Sequence, residues 1–153
     1  MDIQTRMHLL GISPFFTDFT EAEREELAKD SSGFVDYRED ASICHEGDID
    51  RSLFIILSGG VLVYKKTSDG EVAIVNLKAG SIIGELSLLR KGKRVSSVKA
   101  TEKTMAYKLT PEQIKRMSIR LQIKIKSQVL KLVIRRYENL CEKYSELLKL
   151  KAV

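Results

Sequence analysis

The chain has no tryptophan, only two cysteines and two histidines, and no apolar run near the length of a membrane span. Each shortage removes a class of function. Cys44 and Cys141 lie far apart in unlike contexts, which speaks for free thiols in a reducing compartment rather than a disulfide framework. His8 and His45 have no spaced histidine, cysteine or carboxylate cluster around them, so no metal site is expected, that of a cupin-like barrel included. Met1-Asp2-Ile3-Gln4 opens no signal-peptide pattern and neither end carries a lipidation motif, so the expected location is the cytoplasm, away from membranes. Nor is there a nucleophile paired with a base, a metal-bound water or a carboxylate pair, and the expected mode of action is binding rather than catalysis.

What is present is an ordinary balance for one domain: 153 residues, 43% hydrophobic and 31% charged, with a formal net charge of +5. The first section, residues 1–32, reads helical, with Thr20 as an N-cap and Glu23 completing a capping box. Residues 33–109 read as β-structure. Short apolar runs recur at Ala41-Ile43, Leu53-Leu57, Val61-Tyr64, Val72-Leu77, Val95-Ala100 and Met105-Leu109, and Ser68-Asp69-Gly70 marks a hairpin turn. Strands at this spacing predict a small antiparallel β-barrel or jelly roll. Helix resumes at Thr110-Pro111-Glu112-Gln113 and continues through residues 110–150, giving an α+β domain. The excess positive charge invites a nucleic-acid or membrane-surface reading, but the lysines and arginines are spread along the chain and mixed with acids.

The candidate site lies in Gly84-Glu85-Leu86-Ser87-Leu88-Leu89 and Arg94-Val95-Ser96-Ser97-Val98. Gly84 permits close backbone approach, and a short helix beginning near Leu86 would turn its first free N–H groups toward an anion. Arg94 adds a planar fork that can take two phosphate oxygens at once. Glu85, a poor neighbour for a phosphate, suits a sugar hydroxyl that donates to it. Ser87 can cap the short helix. Taken alone, Glu85 and Arg94 could equally be a surface ion pair, and Arg90, Lys91 and Lys93 a solvated basic turn that draws an anion in. Gly92-Lys93 superficially suggests a P-loop, but Arg94 stands where Ser or Thr is needed and Ser87 where the first glycine is needed.

In order and spacing these residues resemble the phosphate-binding cassette of the cyclic-nucleotide-binding domain family, which includes catabolite activator proteins, kinase regulatory subunits and gated channels. Glu46-Gly47-Asp48 and the run from Ser52 to Gly59 resemble that family's upstream turn and strand, so the likeness covers about residues 9 to 140, with the cassette at 84–98. Ser87 and Ser96 depart from alanines common in the family. The resemblance implies a cyclic nucleotide as ligand, no further cofactor, and a base lying over Val63, Ile74 and Val75 beside Val95 and Ser96. Val95 replaces the threonine that cGMP-preferring members often place after the arginine, which tilts the choice toward cAMP and leaves cGMP possible. Arg136, Tyr137, Asn139 and Leu140 are the candidates to cap the base.

Leu130, Ile134, Tyr137, Cys141, Tyr144 and Leu148 follow steps of four and three, with Val133, Leu140 and Leu147 widening the face. By the resemblance such a helix dimerises with its own copy, and Cys141 would then face its symmetry mate. The activator proteins continue into a helix-turn-helix domain, for which the tail from Tyr144 to Val153 leaves no room. The expectation is therefore a stand-alone sensor or regulatory subunit, without a DNA-binding domain, that signals to an effector protein by moving its C-terminal helix. The alternative is a degenerate member that binds no nucleotide and serves as a dimerisation or scaffolding module.

Overall fold

The computed structural model describes residues 1–152, which fall into two compact units, residues 1–117 and residues 118 onward. The first unit opens with helix α1 (Ile3–Ile12), whose N-cap Asp2 accepts a hydrogen bond from the Thr5 N–H. Helix α2 (Glu21–Lys29) starts at the capping box read from the sequence: the Thr20 side chain takes the Glu23 N–H and the Glu23 carboxylate takes the Thr20 N–H.

Eight strands follow: β1 (Phe34–Tyr37), β2 (Ser42–Cys44), β3 (Leu53–Ser58), β4 (Gly60–Thr67), β5 (Gly70–Lys78), β6 (Ile82–Ile83), β7 (Ser97–Ala100) and β8 (Thr104–Leu109). They build two antiparallel four-stranded sheets, in the orders β1-β8-β3-β6 and β2-β7-β4-β5, and give the jelly-roll-like α+β fold that the strand spacing implied. Helix α3 (Glu85–Arg90) lies between β6 and β7, and helix α4 (Pro111–Arg116) closes the unit behind its Thr110–Gln113 capping box. The Ser68–Asp69 turn joins β4 to β5, where Thr67 pairs with Gly70 at φ +117°.

The inner faces of the sheets meet in a core of Phe54, Ile56, Val61, Val98 and Ala106, against which Val63 and Leu77 pack while only partly buried. Phe16, Phe34 and Tyr107 pack edge to face, and the buried Tyr107 hydroxyl donates to the Leu27 carbonyl, which ties α2 to β8. Burial pushes the Tyr107 phenol far above its ordinary value, so it is a donor at every accessible pH.

β7 begins two residues later than the apolar run suggested, leaving Val95 and Ser96 outside it. The reason is a competing use of backbone groups. The Arg94 N–H donates to the Asp48 carbonyl and the Arg94 carbonyl accepts from the Gly47 N–H, both at 2.8 Å, before β7 can enter the ladder with β4 at Ser97–Tyr64.

The second unit is the helix α5 (Ile119–Lys151), 33 residues long and capped by the Ser118 side chain accepting from the Leu121 N–H. Leu121, Ile125 and Val129 are buried, whereas every residue from Tyr137 to Lys151 is exposed. Among the described residues no helix is long and apolar enough to cross a membrane.

Candidate functional site

Gly84 ends β6 and caps α3 with φ +89°, a backbone that residues with a Cβ adopt only under strain. The missing Cβ leaves room that another group fills: a Cβ at this position would collide with Nη1 of Arg94 and stand 2.5 Å from the Ser52 carbonyl oxygen. Glycine is thus needed here twice, for its conformation and for the close approach of the guanidinium.

Arg94 is only 4% exposed, in contrast to its neighbours Arg90, Lys91 and Lys93, all of which are solvated. Its Nη2 donates to the Ser52 carbonyl at 2.6 Å and lies 3.3 Å from Oδ2 of Asp50, and its guanidinium carbon stands 5.7 Å from the centre of the Phe54 ring. Nε and Nη1 are buried without a hydrogen-bond partner. A charged group in that state carries an uncompensated desolvation cost, which an anion reaching Nε and Nη1 would relieve. Unsatisfied donors of a planar fork, beside the Gly84 cradle, describe a place for a phosphate-like group.

Asp50 holds the arginine from the other side. Its Oδ1 accepts from both the Ser52 N–H (3.0 Å) and the Ser52 hydroxyl (2.6 Å). Burial alone would raise the Asp50 carboxyl, but the Ser52 hydrogen bonds and the Arg94 charge outweigh it, and the group sits below its ordinary value of 3.8. A carboxyl lowered on folding contributes stability that is full above that ordinary value and is lost as pH falls through the lower folded value. Asp50→Asn is therefore expected to lower the melting temperature in the neutral region, where that contribution is full, and to change it little near pH 2, which flattens the acid limb of a plot of melting temperature against pH, as thermal scans from pH 2 to 7 would show.

The other residues singled out from the sequence take varied positions. Glu85, Leu86 and Ser87 form the first turn of α3, where Glu85 is half-buried, Leu86 exposed and Ser87 buried. Val63 stands directly opposite Val75 on one side and Val98 on the other, so the three form a row on the inner face of their sheet. The row runs from buried Val98 through half-buried Val63 to Val75, 42% exposed, an apolar floor open at one end. Ile74, 52% exposed, has no opposite residue because the ladder slips between Val63 and Tyr64. Val95 is exposed and Ser96 half-buried on the link into β7. Arg136, Tyr137, Asn139 and Leu140 all belong to α5, and of these only Arg136 is half-buried.

Asp50 and Ser52 were not recognised in the sequence as part of the site, although Asp50-x-Ser52 has the spacing of a side chain that caps a backbone N–H two residues on. Ser97, whose hydroxyl accepts from the Glu46 N–H at 2.9 Å, also helps fix the Glu46–Asp48 turn beside Arg94.

Comparison with known proteins finds relatives of the chain. Residues 34–120 match the family model described as the cyclic nucleotide-binding domain. The cyclic nucleotide-gated channel beta-3 of Mus musculus is 46% identical over 50 residues, covering 33% of this chain and 7% of the channel. The cAMP-dependent protein kinase regulatory subunit of Mycosarcoma maydis is 31% identical over 91 residues, covering 60% of this chain and 17% of that protein. The chain thus spans a small part of these curated relatives. A solved cyclic nucleotide-binding domain from Methylobacillus flagellatus has 26% identity and a TM-score of 0.73, over 96% of this chain and 83% of that one.

Proposed function

The chain belongs to the cyclic nucleotide-binding domain family, and from that premise we propose that it is a regulatory sensor that binds cAMP in preference to cGMP and acts without catalysis. The observation that carries the reading is the pair of unpartnered donors on buried Arg94, facing the Gly84 cradle. The phosphate takes Nε and Nη1, the first turn of α3 at Glu85, Leu86 and Ser87 surrounds it, and the Glu85 carboxylate accepts from the ribose. The base rests on Val63, Ile74 and Val75 beside Val95 and Ser96. Val95 has no hydroxyl for the guanine amino group, which favours adenine. No metal or further cofactor takes part.

Binding shifts a population in this scheme. The ligand favours the cassette conformation in which Arg94 turns from Asp50 to phosphate, α5 repositions in response, and the size of the response is limited by the ligand's preference for that state. The sensor is a homodimer through α5 and passes the signal to an effector protein.

The test is calorimetry on protein unfolded and refolded to strip carried-over ligand, titrated in parallel with cAMP and cGMP. A saturable heat near one ligand per chain, tighter for cAMP, is the expected result. Equal affinities would remove the role given to Val95, and no heat from folded protein would turn the reading to a dimerisation module.

A further inference from the structure

Bases and acids are mixed over most of the chain, but not at the start of α5. From Gln113 to Tyr137 there are eight bases and no acid, whereas residues 1–112 hold fifteen bases and eighteen acids and residues 138–153 hold three of each. Within α5 this stretch has an ordered surface. Ile119, Ile123, Leu130 and Ile134 follow steps of four, seven and four, which sets them on one line along the helix, and all four are exposed, Ile119 at 70% and Ile123 at 60%. Each is followed at once by a base, so Arg120, Lys124, Lys131 and Arg135 run beside that line on one border. Lys126 stands on the other border, and the apolar line is broken once, at the turn of Lys126 and Ser127.

Not all of this charge is open to a partner. Lys124, Lys131 and Arg136 make contacts within the chain, and Arg135 has Glu138 three residues on, a favourable spacing. Arg120 and Lys126 are the exposed bases that flank the exposed isoleucines. The combination selects among partners. A nucleic acid answers bases but not a line of aliphatic side chains, and a neutral apolar surface answers the isoleucines but not the excess of bases. An anionic bilayer answers both, because aliphatic side chains enter the boundary between headgroups and acyl chains while arginine and lysine stay level with the headgroup phosphates. Bases on both borders suit a flat surface of that charge. The stem of Lys126 can lie along apolar surface with its ammonium lifted to the headgroups, so the break in the line is tolerated.

We propose that the first half of α5 docks on an anionic lipid bilayer with its axis along the surface, Ile119 and Ile123 inserted and Arg120 and Lys126 on the headgroup phosphates. The helix lies on the membrane rather than across it, since among the described residues none is long and apolar enough to span. The face has a defined end. Glu138 takes the next place on the basic border, and from there glutamates and lysines balance. Ile119 and Ile123 precede the stripe from Leu130 to Leu148 along which α5 is read to meet its copy, so the docking rests neither on the dimer nor on the nucleotide.

The experiment is co-sedimentation of the full chain with vesicles of phosphatidylcholine alone or mixed with phosphatidylserine. Binding is expected to the mixed vesicles only, and to weaken as salt is raised. Arg120→Gln/Lys126→Gln should weaken it about 25-fold, at about fivefold for each base near an anionic surface. Ile119→Ser/Ile123→Ser should weaken it by about tenfold or more although no charge changes. Lys143→Gln/Lys149→Gln removes as much charge outside the face and should leave binding within about twofold. Equal binding to phosphatidylcholine alone, equal loss from the Lys143 and Lys149 variant, or no binding to either vesicle would overturn the proposal. Full binding by Ile119→Ser/Ile123→Ser would overturn it too: the bases would then act alone, and retardation of duplex DNA by that variant would make a nucleic acid the partner. Circular dichroism confirms that each variant folds, and cAMP calorimetry on the same variants keeps the outcome separate from that of the nucleotide site.

Discussion

Arg94→Ala is expected to weaken cyclic nucleotide binding by about 2–5 kcal/mol, the loss typical when one partner of a buried, hydrogen-bonded charge pair is removed. The size follows from where the guanidinium lies. With only 4% of the residue exposed, water can replace little of what the arginine offers a phosphate. The fold leans on these contacts less than binding does, because of the three guanidinium nitrogens only Nη2 is tied, to Ser52 and Asp50. Calorimetry and melting should therefore separate: affinity falls by orders of magnitude while a cooperative melt persists, and added cAMP raises the melting temperature of the wild-type chain only. Arg94→Lys keeps the charge but loses the planar fork, and should recover a minor part of the affinity. Wild-type affinity in Arg94→Ala would exclude Arg94 from the site.

Gly84→Ala is the second large effect, and here stability and binding should fall together. A non-glycine residue held at φ +89° costs about 1–3 kcal/mol. Crowding against the Arg94 guanidinium and the Ser52 carbonyl adds roughly 1–3 kcal/mol more. For a chain of this length the sum corresponds to a drop in melting temperature of roughly 4–24 °C. Gly47 provides the control. It has φ +88°, but a Cβ there would meet nothing within 4 Å, so Gly47→Ala carries the backbone cost alone. Equal melting temperatures for the two variants would mean that close approach of Arg94 to Gly84 has no energetic weight.

The parts of the fold that were legible in the sequence are those set by neighbours in the chain. The capping boxes at Thr20–Glu23 and Thr110–Gln113 and the Asp-Gly turn at Ser68–Gly70 depend on residues two or three apart, and each forms as read. The cassette at residues 84–98 was legible from the order and spacing of Gly84, Glu85 and Arg94, since by residue type alone Arg94 does not stand out from Arg90, Lys91 and Lys93. The anchor of Arg94 was not. Asp50 and Ser52 lie 44 and 42 residues before it, and only the crossing of β-strands between them brings the three together. Distance along the chain also explains the late start of β7. The pattern of apolar residues sees Val95 as strand, but it cannot see that Gly47 and Asp48 have already taken the backbone hydrogen bonds of Arg94. The two-residue strand Ile82–Ile83 is too short for any periodicity to mark.

Those same two bonds bear on speed. Because the main chain of Arg94 is tied in both directions to the Gly47–Asp48 turn, the arginine has a fixed root and a movable head. In the proposed scheme a ligand arriving at Gly84 draws the guanidinium off Asp50. Rotation about side-chain bonds is intrinsically far faster than rearrangement of a loop. The rate of association should accordingly follow the frequency of encounter and scale with solvent viscosity. Selectivity between related ligands would then appear in how long each one stays.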